Sequence, residues 1–201
     1  MDREKIKGPQ KNVLYFPALF TVILLLLCFC SCKSGAKVRE DRLHAYLTDS
    51  SRYFLLPPEG IGKSMDMAQF VSASYNGQDY FMNAWVKADE TGMEMTLLNE
   101  FGVNMGELSY KNGVVKFSSP VFPKSTMGEY IVADFQLCFY DPLLLRGALK
   151  ECGLAFETDG NTRRILKGKK IIIEIEKTEK AVKLINHLRG YTYTLEGDYD
   201  N

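Results

Sequence analysis

Histidine is almost missing from this chain: 201 residues contain only His44 and His187. His44 lies in a charged leading segment and His187 beside a predicted turn, both ordinary places for surface side chains rather than general bases. There is no Gly-x-Ser-x-Gly elbow, no His-Glu-x-x-His, and no pair of cysteines at metal-ligand spacing. Net charge is missing too, since 25 Lys and Arg balance 25 Asp and Glu. Without a basic excess the chain has no electrostatic footprint for nucleic acid. Gly60-Ile61-Gly62-Lys63-Ser64 imitates the end of a phosphate loop, but the glycine required five residues before Gly62 is Pro57, which excludes nucleotide binding by that motif. These absences argue against an enzyme and for no cofactor.

One long apolar run is present, Val13–Cys32, behind a basic leader of Arg3, Lys5, Lys7 and Lys11. Its length, about 20 residues, also suits a membrane-spanning helix. Two features favour export and cleavage instead. Cysteines crowd the outer end (Cys28, Cys30, Cys32), and small Ser31 directly precedes Cys32, as lipoprotein processing requires. On that reading residues 1–31 are a signal peptide, and Cys32 is the lipid anchor. Several acyl chains, at about 0.8 kcal/mol per buried CH₂, make such an anchor effectively permanent. Residues 32–50 then form a short tether and a segment with helical leanings (Val38–Leu47), and residues 51–201 form one domain. Of five cysteines only Cys138 and Cys152 remain in it. Pairing in an oxidising compartment stays open, but their apolar helical surroundings favour buried thiols.

From Met67 the pattern alternates with period two. Asn76-Gly77 interrupts it between two such runs, the strongest short hairpin signal because both residues tolerate positive φ. Further turns at Thr91-Gly92, Phe101-Gly102 and Lys111-Asn112-Gly113 delimit Asp79–Ala88, Met93–Asn99, Asn104–Tyr110 and Val114–Ser118, an antiparallel meander. Tyr130–Tyr140 fits either period, with helix preferred. Asp141-Pro142 then opens a second helix that stops at Gly153. Strands return at Leu154–Glu157, Arg163–Leu166, Lys169–Lys177, Val182–His187 and Tyr191–Glu196. The predicted class is mainly β: a curved antiparallel sheet whose concave side the helical insert covers.

Tyr53–Gly62, Tyr75-Asn76-Gly77-Gln78, Leu97–Gly102, Ala133–Leu137 with Asp141-Pro142-Leu143, and Gly190–Leu195 resemble a family of uncharacterised bacterial lipoproteins. That family is distantly similar to the LolA/LolB lipoprotein carriers. The resemblance implies an open, unclosed antiparallel β-barrel of about eleven strands, with helices over its concave side and a hydrophobic cavity for acyl chains. It also implies the outer membrane, with the lipid-anchored domain facing the periplasm. In LolB a loop tip with an exposed Leu delivers cargo; by strand order Phe101 and Val103 would stand in here, unless Phe101-Gly102 is a buried kink.

The expected function is therefore an envelope lipoprotein that binds a lipid or acyl chain, as a carrier or acceptor. Its partners would be the membrane, an acylated ligand and other envelope proteins, and not nucleic acid. Alternation nominates Phe70, Tyr80, Trp85, Leu97, Tyr110, Phe117, Phe135 and Leu145 as cavity residues. Asp134, in an apolar run, is expected to be a capping or buried carboxylate satisfied by backbone N–H groups or by an Arg such as Arg146. Arg163-Arg164 reads as a solvated strand end. The alternatives are a structural lipoprotein with a filled interior and, with least support, a lipid-modifying enzyme. A hollow of roughly 300 Å³ or more separates binding from scaffolding.

Overall fold

In the computed structural model residues 42–121 and 127–199 are described. The predicted signal peptide, the anchor Cys32 and the tether up to residue 41 lie outside them. Among the described residues there are twelve strands and two α-helices. β1 (His44–Thr48) and β2 (Ser51–Phe54) form a hairpin, and a 3₁₀ turn, Pro58–Gly60, follows. The remaining strands are β3 (Met65–Tyr75), β4 (Gln78–Asp89), β5 (Gly92–Leu98), β6 (Asn104–Lys111), β7 (Val114–Ser118), β8 (Ala155–Asp159), β9 (Thr162–Lys167), β10 (Lys170–Lys177), β11 (Ala181–Asn186) and β12 (Tyr191–Glu196). They form a single ten-stranded antiparallel sheet in the order β7-β6-β5-β4-β3-β12-β11-β10-β9-β8. Its edges, β7 and β8, do not pair with each other. The sheet is an open barrel, as expected.

Two meanders, β3–β7 and β8–β12, meet along the β3–β12 pair at the centre. Asn76-Gly77 and Asn112-Gly113 both take positive φ, so the hairpins turn where the sequence places them. Between the meanders lie α1 (Met127–Phe139) and α2 (Pro142–Glu151). The helix preferred for Tyr130–Tyr140 is therefore present. Asp141 caps α2, its carboxylate accepting from the N–H groups of Leu143 and Leu144 at 2.7 and 3.3 Å. Gly153, at φ +76°, ends it.

The leading segment is a correction. Residues 44–48 are strand, not the end of a helix. Alternation explains it: Ala45 and Leu47 are buried while His44 and Tyr46 are partly exposed, and turn-forming Asp49-Ser50 lets the chain fold back onto Ser51–Phe54. In β10 a register shift between Ile171 and Ile173 breaks the simple alternation. Ile172 and Ile173 are both buried and Ile171 only half-buried.

A buried amide ties α1 to the segment after β2. Gln136 Oε1 accepts from the Tyr53 hydroxyl (3.1 Å) and the Leu56 N–H (3.0 Å), and Gln136 Nε2 donates to the Leu56 carbonyl (2.7 Å). Each of these polar groups has a partner, so hydrogen bonds offset the desolvation of the buried amide while the network positions α1.

Candidate functional site

β4 sets the geometry of the site. Ala84, Val86 and Ala88 are buried and face inward, while Phe81, Asn83, Trp85 and Lys87 face out. Residues directly opposite on neighbouring strands share a face, so the register carries Met82 and Ala84 across to Val71 and Gln69 on β3, and on to Leu195 of β12. Ala84 also faces Leu97 of β5. Outward from Ala84 along the inward row of β4, exposure climbs through Met82 to 40 % at Tyr80. The concave face is thus filled near Val86 and opens toward the β3–β4 hairpin.

Between that face and α1 lies a hollow of about 200 Å³, lined by Gln69, Val71, Ala73, Met82, Ala84, Met95, Leu97, Met127, Ile131, Asp134, Phe135, Tyr193 and Leu195. Short side chains (Ala73, Ala84) leave the space, and three methionines border it. Three polar side chains interrupt the apolar wall, Gln69, Asp134 and Tyr193. Asp134 accepts a hydrogen bond from the Tyr191 hydroxyl at 2.8 Å. Desolvation by the wall pushes its carboxyl up to about 7, against the lowering effects of that bond and of the Arg189 charge. Gln69 is only 3 % exposed, and its Nε2 has no hydrogen-bond partner. A second hollow, about 380 Å³, lies at the other end of β3, but Lys63, Asp66 and Lys177 share its wall with Met67 and Phe139. The smaller hollow is the one suited to hydrocarbon.

Of the eight nominated cavity residues, Leu97 and Phe135 line the hollow. Phe70 and Trp85 have the wrong parity and sit on the convex face. Phe70 stacks on Phe81 at 6.2 Å, and the Trp85 indole N–H donates to Asp66 at 2.9 Å. Tyr80 shares the inward face but lies at the open end, beyond the lining. Tyr110 and Leu145 are core: the Tyr110 hydroxyl donates to the Leu56 carbonyl at 2.8 Å, and Leu145 is fully buried on α2. Phe117 lies on β7 against the first turn of α1 rather than in the hollow. The alanines and methionines of the lining were missed because the alternation was read for large apolar side chains, and at Phe70 and Trp85 with the wrong parity.

Phe101 and Val103 form an exposed tip on the β5–β6 turn, 81 % and 57 % accessible, not a buried kink. The Asn99 side chain holds that tip by accepting from both their N–H groups, at 3.0 and 2.9 Å. Asp134 meets Tyr191 and Arg189, so the expected Arg146 or backbone N–H partners are corrected. Arg163 is no solvated strand end either, since it donates to the carbonyls of Leu137 and Tyr140 at 2.9 and 3.0 Å; Arg164 pairs with Glu174 at 2.8 Å. Cys138 and Cys152 are unpaired thiols, and burial pushes the Cys138 thiol up to about 12. That makes it inert as a nucleophile.

Among the described residues no helix is long and apolar enough to cross a membrane, and no cluster of three or more His, Cys, Asp or Glu could hold a metal ion. Residues 66–197 match the model of a family described as a protein of unknown function (DUF3261). The match runs from the second residue of β3 through β12, and so takes in nearly the whole sheet and both helices. No curated protein matches the chain.

Proposed function

Starting from a chain that belongs to the DUF3261 family, we propose that this domain binds a lipid or acyl chain in the hollow between its sheet and α1. The observation that carries the reading is the wall itself, apolar on four strands (β3, β4, β5 and β12) and on the helix, open toward one end of the sheet. Hydrophobic transfer at about 0.8 kcal/mol per CH₂ supplies affinity without any catalytic group, so the domain acts as a binding protein and not as an enzyme. On this reading the apolar leader and Cys32 anchor it as a lipoprotein, and the LolA/LolB-like resemblance implies the outer membrane, with the domain facing the periplasm. Phe101 and Val103, exposed on their turn, are the side chains that would touch a membrane or an acylated partner during transfer.

The competing reading is a tethered scaffold, and the modest volume favours it, since about 200 Å³ falls below the roughly 300 Å³ typical of ligand sites. Against it stand Met82, Met95 and Met127 in the wall. Methionine is unbranched and repacks readily, so a lining built on it widens around a ligand more cheaply than one of β-branched residues. Native mass spectrometry of the full chain extracted from membranes decides between them. Bound lipid or acyl species, displaced by added fatty acyl compounds, are expected. A clean apo mass across mild extraction conditions leaves the scaffold.

A further inference from the structure

We infer that the ligand carries a neutral acyl carbonyl, the C=O of an ester, which accepts a hydrogen bond from Gln69 at the inner end of the hollow. The inference rests on the hydrocarbon-binding reading and names the chemistry that reading leaves open.

Gln69 is the anomaly of the inward face. Its neighbours on that face are apolar: Met67 and Val71 along β3, and Ala84 directly opposite on β4. Gly197 lies alongside, where an added Cβ would collide with Met67 and touch Gln69 Cγ, so the space around the amide is already tight. The side chain is 97 % removed from solvent by residue, yet its Nε2 donates to nothing. An unmet buried donor costs about 1–3 kcal/mol, and a Leu of similar size would avoid that cost. Gln69 lines the hollow among alkyl groups, and a small rotation that turns its unmet donor toward an incoming acceptor would repair the deficit.

The wall also selects among acceptors. No Lys or Arg is among the described residues that line it, and Asp134 is present. An ionised carboxylate would therefore be buried without a counter-charge and beside another acid, which is unfavourable. A hydroxyl could accept, but its own O–H would also have to reach Asp134, the acceptor in the wall, a second constraint that an ester does not impose. An ester carbonyl brings only acceptors, continuous with the hydrocarbon that fills the rest of the space.

The test uses the full chain held in amphipol and three probes of closely similar length: methyl decanoate, decanoate and undecane. Displacement of a solvatochromic dye gives relative affinities for wild type and for Gln69→Leu. Wild type is expected to bind the ester more tightly than decanoate. Gln69→Leu is expected to weaken the ester about tenfold while leaving undecane unchanged within about twofold. Equal effects on ester and hydrocarbon overturn the inference and leave hydrocarbon binding intact. Failure of all three probes to bind wild type removes the underlying reading instead. Should Gln69→Leu not fold, the side-chain amide resonances of Gln69 in wild type decide. They shift with methyl decanoate and not with undecane, or the inference falls.

Discussion

Asp134 and Gln136 sit two residues apart on α1 and solve burial in opposite ways. Asp134 keeps a single described hydrogen bond and a carboxyl raised from an ordinary 3.8 to about 7. Cys138 and Tyr193 border it, and Arg189 from the β11–β12 turn supplies the opposing charge. The unfolded chain releases this proton near pH 4, whereas the folded chain holds it to about 7. Stability from this group is therefore full below about 4 and is lost as pH rises through 7, by ~4 kcal/mol at most, less where water in the hollow screens the charge. Asp134→Asn should flatten that slope, as urea titrations at pH 4, 6 and 8 will measure. Gln136 satisfies Tyr53 and Leu56 together. Gln136→Leu orphans both donors and should cost about 3 kcal/mol in urea, whereas Tyr53→Phe should cost about 1. Neither residue's partners could be read from sequence, because Tyr53 and Tyr191 lie 83 and 57 positions away from theirs. The cavity list failed for a simpler reason: large aromatics fill space or cover the outside, and a void lies where Ala73 and Ala84 decline to fill it.

The strands and helices were largely legible because each rule that defines them is local. Asn-Gly pairs turned hairpins, Asp141-Pro142 capped a helix, and period-two rows marked the sheet. Residues 44–48 were not, since the charged stretch that leads into them suits a helix and only pairing with Ser51–Phe54 makes them strand. How α1 seats itself was equally hidden. Gly128 brings the helix's first turn so close to β7 that an added Cβ would lie 2.8 Å from Val115 Cγ1 and 3.0 Å from Phe117 Cβ. Gly128→Val should lift that turn and cost about 2 kcal/mol. Hydrogen exchange should quicken at the α1 amides while β10 and β11 stay protected; uniform protection along α1 would count against this seat.

For the whole molecule the hollow is a matter of sheet order, which no window of sequence contains. β3 and β12 are adjacent although about 120 residues separate them. Ala73, on β3 opposite Tyr193 and Tyr80, stands where the hollow approaches its open end. Ala73→Phe should occupy that space and reduce captured lipid at least tenfold in native mass spectra. Its thermal midpoint should stay within a few degrees of wild type, because the added ring meets a void rather than packed neighbours. Unchanged lipid capture would place the ligand elsewhere on the molecule.

Tyr193 and Leu195 come from β12, the last strand of the sheet in chain order. Until β12 zips against β3, the pocket is missing a wall and the hollow does not exist. The hollow therefore arrives late and all at once, with the same closing step that joins the two meanders.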